Sequence, residues 1–202
     1  YEWMVMTYSP GNVLEGQDLR DKNLLHKVCH ALRTIHRMPS VHLTNVTPYS
    51  LQARVLNRWR DVRGYLPAHM KEVWDKIKAR FFRKNSNAGG ICPCHGDVKN
   101  DNILFEGDRP IFIDFGEVAH GSLYDDLGSF AYYYDLTFDE EIMLLKTYFG
   151  RLPKEEEMVA LAHHRQLATL NHIFLKMRAV LSQPGHDIGQ IKKTLDFLQS
   201  FL

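Results

Sequence analysis

Apolar residues recur at helical spacing along most of the 202-residue chain. The first such stripe runs from Leu25 to Ile35, and Met38-Pro39 ends it because the residue before a proline avoids the helical region. Residues 50–84 predict two further helices, which are separated near Gly64 to Pro67. Apart from an apolar, strand-like run over residues 3–8, the amino-terminal part is therefore predicted to be helical.

The carboxy-terminal part has clear signals for where helices begin and end. A capping-box pattern opens a helix that is predicted over Thr137 to Gly150. A second helix is predicted from Pro153 to about Leu181, because a proline followed by three glutamates is typical of a helix start. The pattern predicts a last helix over roughly residues 187–201.

Short apolar pieces of strand type lie between these helical parts. They cover Ile91 to Cys94, Ile103 to Phe105 and Pro110 to Asp114. The polar sequence Glu106-Gly107-Asp108 separates the last two pieces and predicts a tight hairpin turn. The fold class is therefore predicted to be α+β and mostly helical, with one small hairpin region.

Composition is that of an ordinary globular protein. The chain is 45% apolar and 24% charged, with a net charge of +1, so charge favours neither nucleic acid nor a membrane surface as a partner. No apolar run approaches the roughly 20 residues that span a bilayer. The three cysteines are too few for a disulfide framework and favour a reducing, cytoplasmic location. Cys92-Pro-Cys94 lacks the second ligand pair that is typical of a zinc site.

Polar residues stand at the ends of the predicted hairpin strands. Asn102 precedes the first hairpin strand and Asp114 ends the second, so the hairpin should bring both side chains to one space. Amide and carboxylate oxygens suit Mg²⁺, which also takes phosphate oxygens. Asp97 would lie beside them and could accept a proton from an attacking hydroxyl. The alternative is that all three are turn residues at strand ends, but their joint spacing favours a catalytic site.

The same residues carry a resemblance to a known family. Residues 95–102 read H-G-D-x-x-x-x-N and residues 113–115 read I-D-F. In both, the chain resembles the aminoglycoside phosphotransferase and choline/ethanolamine kinase superfamily, which has the protein-kinase-like fold and uses ATP and Mg²⁺. The resemblance implies the following roles: Asp97 as catalytic base, Asn102 and Asp114 as Mg²⁺ ligands, and His95 and Asp126 as structural supports.

The start of the chain resembles the hinge that joins the two lobes in this family. We interpret residues 1–12 as hinge strand and linker and residues 13–202 as the helical carboxy-terminal lobe. The resemblance places the backbone of Thr7, Tyr8 and Ser9 at the adenine edge of ATP. The family's amino-terminal lobe, with its phosphate-covering loop and strand lysine, cannot be placed on this sequence. We therefore expect the chain to be a carboxy-terminal lobe that has little activity alone.

The acceptor of the phosphate is predicted to be a small-molecule alcohol. The spacing from Gly116 to Leu127 is too short for a protein kinase's activation segment. An amino alcohol or aminoglycoside would need carboxylates or a ring face for its cation. Lys99 could contact the transferred phosphate of ATP or be a solvated loop lysine. A non-catalytic pseudokinase and a protein kinase remain alternatives. The candidate substrate-binding residues are Glu117, Asp125 and Tyr133.

Overall fold

The structure is a computed structural model, and it describes residues 11–13, 21–39, 50–82 and 90–182. Within these ranges the chain is mostly helical with small antiparallel sheets, which confirms the predicted fold class. The helices are α1 (Lys22–His36), α2 (Leu51–Val62), α3 (His69–Phe81), α4 (Leu123–Tyr133), α5 (Phe138–Phe149) and α6 (Glu155–Leu181). The strands are β1 (Asn12–Val13), β2 (Cys92–Cys94), β3 (Ile103–Glu106), β4 (Arg109–Phe112) and β5 (Ala119–Gly121).

The predicted hairpin is β3 and β4, and its register sets the geometry of the site. The strands pair antiparallel from Ile103 opposite Phe112 to Glu106 opposite Arg109, so the turn is the tight one that the sequence predicts. β1 extends this sheet on the β3 side. A second ribbon pairs β2 with β5 and places Cys94 opposite Ala119. The two ribbons hold the segment between β2 and β3 at both of its ends.

Helices α4 and α6 cross closely, and a glycine makes the crossing possible. A Cβ atom at Gly128 would lie 2.6 Å from the backbone carbon of His164, well inside contact distance. The main core packs around α4, with Leu127 and Phe130 fully buried. Because α4 also carries residues of the site, this crossing fixes the site relative to α6.

The two helices predicted over residues 50–84 form a separate apolar cluster against α6. Trp59 of α2 and Trp74 of α3 stack with ring centroids 4.7 Å apart, and Phe174 of α6 packs on both rings. The break between the helices falls at residues 63–68, as the sequence predicts. Their basic residues are mostly exposed, with the exceptions of Arg54 and Arg58.

The helix signals of the carboxy-terminal part are confirmed. Thr137 and Glu140 form the capping box of α5, and Gly150 ends that helix with φ 72°. α6 ends at Leu181. The helix predicted over residues 187–201 lies outside the described residues. None of the described helices has the length and apolar character that crossing a bilayer requires.

Candidate active site

The segment from His95 to Asn102 leaves β2 in a conformation that needs glycine at its second position. Gly96 has φ 84°, and a Cβ atom there would overlap the carbonyl oxygen of Glu117. His95 is fully buried, and its ring nitrogen Nε2 lies 2.9 Å from the carbonyl oxygen of Ile113. The loop is therefore tied to the hairpin's outgoing end by the imidazole and by close backbone packing.

A buried carboxylate also holds the loop from His95 to Asn102 in place. Asp126 of α4 is completely buried and accepts hydrogen bonds from the backbone N–H groups of His95 and Gly96, each at 2.8 Å. Its Oδ2 also lies 3.0 Å from Nε2 of His36, whose Nδ1 lies 2.6 Å from the hydroxyl of Tyr148. We call Asp126, His36 and Tyr148 the buried brace.

The charges within the brace are opposite. Burial alone would raise the pKa of Asp126, but the hydrogen bond and the charge of His36 hold that pKa below its usual range. Burial alone would lower the pKa of His36, yet its hydrogen bond to Asp126 raises it. The raised pKa of His36 favours the imidazolium form, in which Nε2–H donates to Asp126.

Asp97 is the partly exposed carboxylate of the loop. Its Oδ2 accepts hydrogen bonds from Nζ of Lys99 at 2.7 Å and from Nδ2 of Asn102 at 2.8 Å. Asn102 also donates to the backbone carbonyl of Asp97. No hydrogen bond reaches Oδ1 from the part of the chain that the structure describes. The carboxylate is therefore oriented through one oxygen while the other is available.

Asn102 and Asp114 stand at the two outer ends of the hairpin, as the sequence predicts. The backbone N–H of Ile113 donates to the carbonyl of Asn102 at 3.0 Å, which joins these ends directly. Asp114 has φ 60° and ψ 65°, a left-handed conformation that is uncommon outside glycine and costs of order 1–3 kcal/mol. Its side chain is exposed, whereas Asn102 is buried. Such strain is typical of functional sites.

The charges of Asp97 and Asp114 both act on Lys99. The hydrogen bond to Asp97 raises the pKa of Lys99, burial opposes this rise, and the charges of Asp97 and Asp114 add to it. The oxygen donors of Asn102 and Asp114 fit the hard-ligand preference of Mg²⁺. Because Nδ2 of Asn102 points at Asp97, its amide oxygen is the end that can reach a cation.

A cleft of about 540 Å³ opens beside this loop. Glu117 lines it with a half-exposed side chain, and its Oε2 lies 3.7 Å from NH1 of Arg54. Burial and the nearby charge of Asp97 raise the pKa of Tyr133 to about 12, so its hydroxyl stays protonated. The described lining residues are Arg58, Asp97, Lys99, Asn100, Asp101, Glu117, Tyr133, Asn171, His172 and Leu175.

Of the predicted site residues, Asp97, Lys99, Glu117 and Tyr133 line this cleft, whereas Asn102, Asp114 and Asp125 do not. Asp125 is buried in the interior, where it accepts from the backbone N–H of Leu51 at 3.2 Å and lies 2.8 Å from Nδ1 of His164. These partners occupy both of its oxygens, so the structure does not offer Asp125 to a substrate. The predicted adenine contacts at Thr7, Tyr8 and Ser9 lie outside the described residues.

Sequence analysis missed two arginines and an asparagine at the site. Arg54 is almost fully buried and donates to the carbonyl of Gly96, which adds a further tie on the loop. Arg58, one turn later on α2, reaches the cleft and donates to the carbonyl of Asn171 at 3.1 Å. The sequence signal that could have identified the two arginines is their i, i+4 spacing on α2, which places them on one helix face.

A cysteine–histidine cluster lies close to the brace. The ligand atoms of His36, Cys92 and Cys94 all fall within 4.8 Å of one another. Both ring nitrogens of His36 are engaged, however, by Asp126 and by Tyr148. Cys94 is buried against the carbonyl of Ser122, 3.2 Å away, and its pKa is raised by its hydrogen bond with Cys92 and by burial. The imidazole serves the brace in this arrangement and presents no free nitrogen to a cation.

The fold and the loop together define the class of protein. Comparison with solved structures finds a choline/ethanolamine kinase family protein from Mesorhizobium loti, 16% identical, with a TM-score of 0.72 over 94% of this chain and 66% of that one. An ethanolamine kinase from Plasmodium vivax is 14% identical, with a TM-score of 0.69 over 96% of this chain and 62% of that one. The GDP and kanamycin complex of APH(2")-IIia is also 14% identical, with a TM-score of 0.65, over 95% and 67%. These likenesses show a kinase-like fold.

The family follows from the sequence match. A profile described as the phosphotransferase enzyme family matches residues 1–161, and the chain belongs to this family. The predicted resemblance is thereby confirmed. The chain spans less than two thirds of the length of the first two structures named above. A search of curated proteins finds no match.

Proposed function

We propose that the protein transfers a phosphoryl group from ATP to a hydroxyl of a small molecule, with Mg²⁺ as the required cation. The observation that carries this proposal is the joining of Asp97 to Asn102 by a hydrogen bond, with Asp114 next to the hairpin end that bonds to Asn102 and Asp97 at an open cleft. Family membership supports the reaction class. A non-catalytic scaffold would not need a strained Asp114 beside an oriented, partly exposed Asp97.

Each of these side chains has a part that its surroundings suit. Asp97 would accept the proton of the attacking hydroxyl through the oxygen that no hydrogen bond occupies. Asn102 and Asp114 would hold Mg²⁺, which neutralises phosphate charge during transfer. Lys99 would pass from Asp97 to the phosphate oxygens, since its ammonium already lies at the mouth of the loop. His95, Arg54 and the buried brace would keep the loop in place.

The nucleotide and the location of the protein are part of the same proposal. The solved complex with GDP supports nucleotide use by proteins of this fold. We propose ATP as the donor, with the backbone of Thr7, Tyr8 and Ser9 at the adenine edge and residues 1–12 as the hinge. Residues 13–202 would then form the catalytic and substrate lobe of a cytoplasmic enzyme. Little transfer by the chain alone stays a prediction.

Replacement of the proposed base tests this function. Asp97→Asn keeps the shape of the side chain and its bond to Lys99 but removes the proton acceptor. We expect kcat for ADP release to fall about 10²- to 10⁴-fold, the usual contribution of a general base. The assay is run on the chain and on any longer protein that contains it. The urea unfolding midpoint should stay nearly unchanged, because Asp97 is not a core residue.

The matched control is Asp108→Asn, an exposed carboxylate at the turn of the same hairpin. It should leave kcat unchanged. Nucleotide binding without transfer to any small alcohol would favour the non-catalytic alternative. Transfer to peptides but not to small alcohols would favour a protein kinase.

A further inference from the structure

One wall of the cleft carries a positive charge that the structure does not balance. Arg54 and Arg58 lie one turn apart on α2 and face the catalytic loop. Like charges at this spacing destabilise a helix unless a partner offsets them. Glu117 lies 3.7 Å from Arg54, but among the described residues Arg58 has no ion-pair partner.

The surroundings of Arg58 make this charge more costly. Burial lowers the pKa of Arg58, and the charge of Arg54 lowers it further, while Glu117 offsets only part of the effect. The hydrogen bond that the structure gives to its guanidinium goes to a backbone carbonyl, that of Asn171. A guanidinium has five N–H donors in a planar fork that matches a carboxylate. An anion in the cleft would therefore relieve an existing electrostatic cost.

An unpaired acceptor lies next to this guanidinium. The side-chain oxygen Oδ1 of Asn171 is buried and has no hydrogen-bond partner within the described ranges, although Asn171 lines the cleft. Buried polar atoms of this kind are rare, and each costs free energy until a partner arrives. A hydroxyl or ammonium group on a bound molecule would supply the missing donor.

The remaining wall residues do not form a cage for a cation. The hydroxyl of Tyr133 and Nδ1 of His172 face each other at 3.4 Å. Burial lowers the pKa of His172, and the charges of Lys176 and Arg58 lower it further, so the ring is neutral. A cationic group placed against this wall would meet the charge of Arg58. The amine recognition that the sequence analysis considered thus loses Asp125, keeps Glu117 and Tyr133 at the cleft, and faces the charge of Arg58.

We propose that Arg58 determines substrate specificity by binding a carboxylate of the phosphate acceptor, with Asn171 accepting a hydrogen bond from a neighbouring donor. The acceptor class is then a hydroxylated carboxylate: its carboxylate lies on α2 and α6, and its hydroxyl faces Asp97. This inference rests on the proposed phosphotransfer for the role of the site, but its central claim is a binding preference that can be measured without turnover.

Pairs of compounds that differ only in the carboxylate test the claim. Serine and ethanolamine form one pair, homoserine and 3-aminopropan-1-ol a second, and gluconate and sorbitol a third. Binding is measured by calorimetry on the full chain without nucleotide. A charge-assisted contact predicts that the carboxylate member of at least one pair binds about 10- to 100-fold more tightly. Equal binding, or no binding, in all three pairs would overturn the proposal.

Variants of the wall locate the preference. Arg58→Met keeps an unbranched apolar stem but removes the guanidinium, and it should bring the affinity ratio of the responsive pair close to one. Asn171→Asp would supply Arg58 with an internal anion and should weaken the carboxylate member as well. Arg60→Met, an exposed arginine of the same helix, should leave the ratio intact. If the affinity ratio of the responsive pair is unchanged in Arg58→Met, the assignment of Arg58 as the carboxylate-binding residue is overturned, even if Asn171→Asp lowers that ratio.

The same series separates this inference from the proposed function. If the Arg58-dependent preference is found but no acceptor is phosphorylated by the chain or by a longer protein that contains it, the inference stands and the phosphotransferase proposal falls. If transfer occurs equally to both members of every pair, the proposed function stands and the inference falls. If Arg58→Met weakens ATP binding and leaves the carboxylate preference unchanged, Arg58 contacts the donor phosphates and the inference is overturned.

Discussion

The cleft and the buried brace both use an aspartate carboxylate, but the two carboxylates serve different purposes. Asp97 on the rim of the cleft keeps a quarter of its side chain exposed, whereas Asp126 beneath it has none exposed. Asp126 is held by two backbone N–H groups and by His36. Asp97 is held through one oxygen only. A carboxylate whose bonding capacity is filled can position a loop, and one with an oxygen to spare can take part in a reaction.

The two regions also differ in how their cost is met. In the brace, buried charges are compensated inside the protein, so the site is complete without a ligand. In the cleft and the adjoining hairpin end, three features remain uncompensated: the strain at Asp114, the charge of Arg58, which has no ion-pair partner among the described residues, and the unpaired oxygen of Asn171. These features have a physical reason only if a cation and a substrate occupy the cleft. The predictions below test whether the brace is complete without a ligand while the cleft requires one.

The largest effect on stability should come from removing the central carboxylate of the brace. Asp126→Ala leaves the imidazolium of His36 buried without its partner and two backbone N–H groups without an acceptor. Breaking a buried pair in this way costs about 3–5 kcal/mol. Urea unfolding should show this loss, and the control Asp108→Ala, at an exposed turn, should show almost none. A loss below about 1 kcal/mol would contradict the structural role assigned to Asp126.

An intermediate effect is expected where α4 crosses α6, because this crossing sets the distance between the two regions. Gly128→Ala would place a methyl group 2.7 Å from the backbone nitrogen of Arg165, so the helices must separate. Such overpacking costs typically about 1–3 kcal/mol. Gly64→Ala is the control, since its added Cβ meets nothing within 4 Å. Equal stability of the two variants would show that the crossing can relax.

The comparison also explains what sequence analysis could find. The three residues proposed for catalysis and Mg²⁺ binding lie close along the chain. Asp97 and Asn102 share one loop, and a single hairpin joins Asn102 to Asp114. Their proximity follows from local pattern alone. The fold class and the helix ends were predictable for the same reason, because periodicity and capping signals are local.

The brace joins residues that are far apart along the chain. Asp126 and His36 are 90 residues apart, and Tyr148 and His36 are 112 residues apart. The family resemblance singled out Asp126 as a structural support, but helical periodicity alone does not distinguish Asp126, which contacts the loop, from its neighbour Asp125, which contacts α2 and α6. Successive residues on a helix point about 100° apart, so only the packing of α4 decides their roles. The placement of Arg58 beside Asn171 is equally non-local.

The smallest predicted effect is a pH dependence of the stability that the buried brace contributes. The pKa of His36 is raised above its ordinary value of 6.5 in the folded protein because Asp126 favours the imidazolium. A raised pKa stabilises the fold fully below pH 6.5, and this stabilisation is lost as pH rises through the folded value. Asp126, whose pKa is lowered from 3.8, stays charged throughout this window.

We therefore expect the stability advantage of the wild type over His36→Asn to shrink as pH rises above 6.5, by at most about 1.4 kcal/mol per pH unit for one proton. Urea midpoints measured between pH 6 and pH 9 give this difference. His26→Asn, on the exposed face of the same helix, should give a constant difference. A constant difference for His36→Asn as well would mean that the imidazole is neutral in the fold. In that case His36 would hold Asp126 through a hydrogen bond from a neutral ring. The brace and the cleft would then differ in the charge of their residues as well as in their exposure.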